Sequence, residues 1–239
     1  MENAGYVALN RQSGLAAELR VIANNVANLG TAGFRREGAV FAEHVFGLGA
    51  GTPSLSMAEG AGRIVDLSQG PLRQTGGDLD LAVEGEGFFL VAAPEGPRLT
   101  RAGSFVLTPE GEIATAEGYR LLDDGQAPVA VPPGAGRIAV ARDGTLSAGG
   151  MPVARIGLFV AADPGAMVHA AGTTFLPGGD IEPVAAPVIL QGFIEESNVD
   201  PVAEIARMIE VQRAYELGQG LLEAEDERIR AAVRTLGGG

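Results

Sequence analysis

The chain has 239 residues, 46% of them apolar, and a net charge of −13; this is enough for one or two domains with a true core, and too acidic for the basic footprint of a duplex binder or for an anionic membrane surface. It has no cysteine, and all 17 basic residues are arginine, which excludes disulfides, thiolate metal sites, Cys nucleophiles and the lysines of P-loops and Schiff bases. No apolar run reaches the ~18 residues of a membrane span, and Met1-Glu2-Asn3 is neither basic nor followed by an apolar stretch, so neither membrane insertion nor a cleaved Sec signal is expected.

In chain order, the first element is a helix expected from about Asn3 to Leu29. Leu15, Leu19, Ile22, Val26 and Leu29 are spaced 4, 3, 4 and 3, one seam of a heptad pattern. Gly30 and Gly33 stand where a helix stops. Asn24 and Asn28 lie one turn apart, and Asn25 flanks the seam; buried amides demand partners and punish a wrong register. The stretch from 34 to 69 contains Gly47-Leu48-Gly49-Ala50-Gly51 and Glu59-Gly60-Ala61-Gly62 and reads as an extended connector.

Residues 70–192 are rich in Gly and Pro and read as antiparallel β-structure. Ser104–Leu107, Glu112–Thr115 and Tyr119–Leu122 alternate with Pro-Glu-Gly and Ala-Glu-Gly turns, the grammar of short strands joined by tight turns. In Glu84-Gly85-Glu86-Gly87-Phe88-Phe89, a continuous strand sends the two phenylalanines to opposite faces, so at least one is expected in the core.

From 193 to 239 the chain returns to helix. Asp200-Pro201 pairs an N-cap with a first-turn proline. A seam is drawn through Ile205, Met208, Gln212, Tyr215, Gln219, Leu222, Asp226, Ile229, Val233 and Leu236. Its polar members recur at alternate turns, as in a helix with several neighbours rather than a two-stranded coiled coil. Gly218 and Gly220 lie inside this helix at a cost of about 1 kcal/mol each. Each stripe is worth many kcal/mol when covered, at roughly 1.5–3 kcal/mol per large side chain, and little when bare. Either the two stripes cover each other within one subunit, or neighbouring subunits cover them.

Three motifs carry a family resemblance. They are Ala23-Asn24-Asn25-Val26-Ala27-Asn28 with Thr31-Ala32-Gly33-Phe34-Arg35; Leu79-Asp80-Leu81-Ala82-Val83-Glu84-Gly85-Glu86-Gly87-Phe88-Phe89 with Leu99-Thr100-Arg101-Ala102-Gly103-Ser104-Phe105 and Glu117-Gly118-Tyr119; and Gly192-Phe193-Ile194-Glu195-Glu196-Ser197-Asn198-Val199-Asp200-Pro201 running into Met208-Ile209-Glu210-Val211-Gln212-Arg213-Ala214-Tyr215-Glu216. Together they resemble the flagellar rod and hook family, and most of all its proximal-rod members, with distal-rod members as near relatives. The glycines at 218 and 220 depart from the family pattern.

The resemblance implies a mixed α and β fold. Residues 1–33 and 193–239 would pack as a coiled-coil-like rod-core domain, with 34–69 as connector and 70–192 as the central antiparallel domain. It implies a torque-transmitting rod subunit of the flagellar basal body, crossing the periplasm and reached through the flagellar type III export apparatus. Its partners would be other rod proteins and copies of itself. The subunit-interface residues expected are Leu15, Leu19, Ile22, Asn24, Asn25, Val26 and Asn28 on the first helix. On the last they are Ile205, Met208, Gln212, Arg213, Tyr215, Leu222 and Ile229.

Other readings are weaker. Asp78 with Asp80, or Glu84 with Glu86, could act as carboxylate pairs on a glycan, but they sit among turn glycines. Asp78-Asp80 and Asp123-Asp124 lack the full spacing of a calcium loop. His44 and His169 stand far apart without a ligand motif and are expected to be packing or surface residues. No catalytic, metal or cofactor site is expected. A monomeric binding module whose terminal helices pair with each other is the structural alternative, and a hook-type subunit the alternative within the family.

Overall fold

A computed structural model describes residues 2–46 and 55–237, with side chains for 8–40 and 62–235. The run Gly47–Gly51 and the terminal Gly238 and Gly239 lie outside the described residues, as does the side chain of His44. The chain forms two compact units: 1–27, 37–64 and 200–239 make one, and 28–36 with 65–199 make the other. Among the described residues no helix is long and apolar enough to cross a membrane.

The first unit holds two long helices, α1 (Glu2–Ala27) and α2 (Pro201–Gly237), and a two-stranded sheet of β1 (Glu37–Phe46) and β2 (Leu55–Val65). α2 starts where its N-cap sits: the Asp200 carboxylate accepts from the Val202 and Ala203 amides at 2.9 and 3.1 Å, satisfying donors that a first turn leaves free. The helix continues through Gly218 and Gly220 without a break. α1 and α2 run antiparallel, because Gln12 meets Tyr215 while Glu18, further along α1, meets Arg207, further back along α2.

The second unit is β-rich and antiparallel. Its largest sheet orders the strands Val168–His169, Thr174–Leu176, Gly96–Thr100, Phe88–Ala93, Arg120–Leu121, Ile113–Thr115 and Phe105–Leu107. Leu158–Ala161 also joins Phe88–Ala93 and carries Ile181–Pro183. The strands expected at 104–122 form at Phe105–Leu107, Ile113–Thr115 and Arg120–Leu121 and pair in sequence. Phe88 and Phe89 are both buried. Phe89 packs with Leu81, Phe105 and Ile113, whereas Phe88 packs with Leu99, Leu122 and Phe175. The strand therefore separates two cores, and the alternation that puts neighbouring side chains on opposite faces fills both.

Candidate functional site: the root of the β-unit and the faces of the helices

The chain enters or leaves the β-unit through three segments, 28–36, 65–70 and 195–199, and a buried ion cluster ties them together. Arg35 Nη1 lies 2.6 Å from Glu195 Oε1, and Arg101 Nη1 lies 3.0 Å from Glu195 Oε2. The Gly70 amide donates to Glu195 Oε1 at 2.8 Å, and the Gly33 amide to the Glu195 carbonyl at 2.8 Å. Arg35 also donates to the Ser68 carbonyl and Arg101 to the Gly85 carbonyl, each at 2.6 Å.

All three charged side chains are shielded from solvent. Burial pushes both guanidinium pKa values down, and the Glu195 carboxylate opposes that shift; the positive Arg35 lowers Arg101 further. Two cations share one anion, and Arg35 Nε and Nη2 and Arg101 Nε have no hydrogen-bond partner among the described residues. Breaking such a cluster leaves a charge stranded in a medium that solvates it poorly.

Asn198 completes the fastening. Its Oδ1 accepts from the Arg36 amide at 2.6 Å, and its Nδ2 donates to the Asp66 and Ser68 carbonyls at 3.0 and 2.9 Å. The backbone must approach closely here. Gly33 has φ +70°, and a Cβ on it would lie 2.1 Å from the Ala102 amide nitrogen; one on Gly70 would lie 2.2 Å from the Glu196 carbonyl. No side chain fits either place. Phe34 is fully buried and meets the His169 ring edge-on at 5.9 Å, which in turn meets Phe175 at 5.1 Å. His169 is thus a packing residue beside the root.

Each sequence signature contributes to this cluster: the first Arg35, the second Arg101, and the third Glu195 and Asn198. Sequence reading singled out the motifs but assigned these residues no joint role. The available signal was a charge set directly beside apolar or small residues in each motif, as in Phe34-Arg35, Arg101-Ala102 and Ile194-Glu195.

On α1, Ile22 is 3% exposed and Asn25 fully buried inside the subunit itself, while Leu15, Leu19, Asn24 and Val26, and Asn28 in the turn just past the helix, are half-buried. Asn25 is held by the first residue of β1: its Nδ2 donates to the Glu37 carbonyl at 2.8 Å and its Oδ1 accepts from the Glu37 amide at 2.9 Å. Asn24 Nδ2 reaches the Glu37 carboxylate at 3.5 Å, and Arg63 pairs with the same group at 3.0 Å.

On α2 the inward face runs through Glu204, Met208, Val211, Tyr215, Gly218, Leu222 and Glu225, spaced 4, 3, 4, 3, 4 and 3. The sequence-derived seam shares Met208, Tyr215 and Leu222 with it. Ile205, Gln212, Gln219 and Asp226 lie on the exposed side, as does Arg213, and Ile229 is exposed although it stands in line with the inward face. The displacement explains the alternating polar residues, since those positions face water in the single subunit. Gly218 has a packing reason: Gln12 fills the space, its Nε2 donating to the Tyr215 carbonyl at 2.8 Å, and a Cβ on Gly218 would lie 2.3 Å from that nitrogen. Gly220 faces open space. Seven large apolar side chains of α2 are each 45–77% exposed: Val202, Ile205, Ile209, Leu217 and Leu221 lie away from the inward face, and Ile229 and Val233 lie in line with it.

One member of each acidic pair has a structural partner. Asp80 accepts from the Thr75 and Ser104 hydroxyls at 2.6 and 3.1 Å, and Glu84 pairs with Arg142 at 2.5 Å. Asp123 accepts from the Ala127 amide at 2.8 Å. Glu86 lines a cavity of about 350 Å³ with Phe88, Arg101 and Met167, and is the one carboxylate in that lining. Among the described residues no group of three or more His, Asp or Glu is placed to hold a metal.

Comparison with known proteins matches this arrangement to family profiles. Residues 6–35 match "Flagella basal body rod protein", 82–148 the "Flagellar hook protein FlgE/F/G D1 domain", and 190–235 "Flagellar basal body rod FlgEFG protein C-terminal". The flagellar basal-body rod protein FlgF of Caulobacter vibrioides is 40% identical, covering 99% of both chains. That of Rhizobium meliloti is 36% identical, over 100% of this chain and 99% of its own. The rod protein FlgG of Caulobacter vibrioides is 30% identical over 92% of this chain and 95% of its own. With identity of this order along its whole length and all three signatures in sequence, the chain belongs to the FlgF family of flagellar basal-body rod proteins.

Proposed function

We propose that this chain is a structural subunit of the proximal flagellar rod, which polymerises through its terminal helices and passes torque along the stacked helical tube so formed. The observation that carries the reading is the set of exposed apolar side chains along α2. A folded subunit that buries Phe89, Leu90, Leu99 and Ile113 completely leaves seven large apolar side chains of one helix in water. Scattered apolar exposure is ordinary, but a concentration of it along one element marks a contact surface. Full-length similarity to FlgF proteins supports reading it as a contact between rod subunits.

In this reading the rod-core domain consists of 1–33 and 193–239 packed in a coiled-coil-like manner, with 34–69 as connector and 70–192 as the outer β-domain. The segments 28–33 and 193–199 of that rod core are themselves anchored in the β-unit. Leu15, Leu19, Asn24 and Val26 on α1, Asn28 just past it, and Ile205, Met208, Gln212, Arg213, Tyr215, Leu222 and Ile229 on α2, meet neighbouring subunits; Ile22 and Asn25 hold α1 in place for them. The partners are other rod proteins and further copies of the chain, delivered through the flagellar type III apparatus to the part of the basal body that crosses the periplasm. The subunit works as a scaffold and not as an enzyme, in keeping with the structural duties of Asp80 and Glu84.

The monomeric-module alternative draws support from the α1–α2 pairing within one chain, but it leaves the exposed α2 surface without a use. Replacing Ile22 by Asp tests the reading. A charge at a position 3% exposed should abolish rod assembly and swarming in a strain lacking the native chain, while a protease-resistant β-fragment persists. Full motility of that strain would sink the proposal.

A further inference from the structure

We propose that the β-unit holds a ligand pocket beside its root, suited to a small organic acid: a carboxylate carried on a short apolar body. The pocket goes beyond the rod reading and does not depend on it. Glu86, Gly87 and Phe88 come from the second signature, and with residues between 160 and 167 they line a cavity of about 350 Å³. That volume lies within the range of about 300–1,000 Å³ usual for small-molecule sites. Phe88, Ala161 and Met167 are buried and give it apolar walls, while Leu67 and Glu86 stand exposed at its rim.

The lining also holds a charged group that the fold withdraws from water. Arg101 is part of the wall at 3% exposure. Its Nη1 meets Glu195 at 3.0 Å and its Nη2 the Gly85 carbonyl at 2.6 Å, and the guanidinium lies over the Phe88 ring, 5.1 Å from its centre. Its Nε has no hydrogen-bond partner among the described residues. A buried donor without an acceptor is costly, and a ligand seated against Arg101 that supplies one recovers that cost.

The charge is short of a counter-ion as well. Glu195 is shared between Arg35 and Arg101, so two guanidiniums stand against one carboxylate, net +1. Asp66 offsets part of this at Arg35, but it is exposed and accepts from Ser68. The charges acting on Arg101 are Glu195 and Arg35. An anionic acceptor therefore suits Arg101 better than a neutral one, and the apolar walls select its body. Glu86, the one carboxylate in the lining, is solvated at the rim, where its repulsion is screened; it disfavours a second acidic group at the mouth.

The test uses the full chain, with phenylpropionate as the probe and phenylpropanol as its uncharged counterpart. Binding is followed by the Met167 methyl resonance of methyl-labelled protein, assigned by its loss in Met167→Leu. The acid should bind saturably and move this resonance, and the alcohol should bind about tenfold or more weakly. Glu86→Gln, at an exposed position, should tighten the acid about twofold and leave the alcohol unchanged. Arg101→Met should bring acid and alcohol to equal affinity.

Equal affinities of the wild-type chain for acid and alcohol overturn the proposal, and so does a Met167 resonance that moves for neither up to about 10 mM. Tighter binding of phenylpropylamine than of the acid overturns it too, since the cavity would then answer to Glu86 and not to Arg101. These comparisons need no variant, so they decide the matter even where Arg101→Met loosens the root. A tripeptide ending in a free phenylalanine carboxylate separates the two sources of such a ligand. Tighter binding than phenylpropionate assigns the pocket to a chain end, weaker binding to a free acid, and either result supports the carboxylate chemistry.

Discussion

The root of the β-unit and the outer surface of α2 treat polar and apolar groups in opposite ways. At the root, three charged side chains are withdrawn from water and matched to one another and to backbone groups across three separate segments. Along α2, apolar side chains are left in water while Arg–Glu and Arg–Asp pairs such as Arg228–Glu225 and Arg230–Asp226 decorate the same helix. Surface pairs of this kind contribute under about 1 kcal/mol each, whereas the root cluster cannot lose a member cheaply. The root is completed by folding, and in the proposed rod the apolar side chains of α2 are covered by a neighbour. A single chain thus separates the interactions that make it from those that assemble it.

The largest test of this contrast is at Glu195. Glu195→Gln leaves two buried guanidiniums without a counter-charge and should cost about 3–5 kcal/mol by urea denaturation. Arg101→Met should be milder, because Arg35 and Glu195 remain as a balanced pair. Equal losses would show that charge balance is not what the cluster provides. Next comes Asn25→Ala, which strips the Glu37 amide and carbonyl of their buried partner. About 2–3 kcal/mol should be lost, and hydrogen exchange should quicken in α1 and β1 before it does in the large sheet. The smallest effect separates the two glycines of α2. Gly220→Ala should stabilise the helix by about 1 kcal/mol, since nothing crowds that position. Gly218→Ala should bring no such gain, because the new methyl displaces Gln12 from the Tyr215 carbonyl. Thermal melts of the two single variants decide it.

Much of the fold was legible because local rules carried it. Asp200-Pro201 marks the start of α2, the turn glycines mark the strands from 105 to 121, and heptad spacing marks both helices. The inward face of α2 was misplaced by one position at alternate turns for a physical reason. Glu204, Gly218 and Glu225 occupy inward places that a hydrophobic pattern assigns to Leu or Ile, while Ile205 and Ile229 are exposed. Periodicity reports where apolar residues lie, not which of them the fold buries. The root cluster was invisible for another reason. Its members lie 66 and 94 positions apart along the chain (Arg35 to Arg101, Arg101 to Glu195), and nothing short of tertiary pairing brings them together.

The hydrogen bond from the Asp66 amide to the Arg36 carbonyl, 2.8 Å long, has a consequence for how such a chain can change over generations. It closes the excursion carrying β1 and β2 at its base, so residues 37–64 leave and re-enter the fold at adjacent points. The entropy of closing a loop grows only logarithmically, by about 0.6 kcal/mol per doubling of length. Insertions or deletions at the far end of that excursion therefore leave the clasped ends undisturbed, and relatives are free to vary its reach while keeping the same attachment.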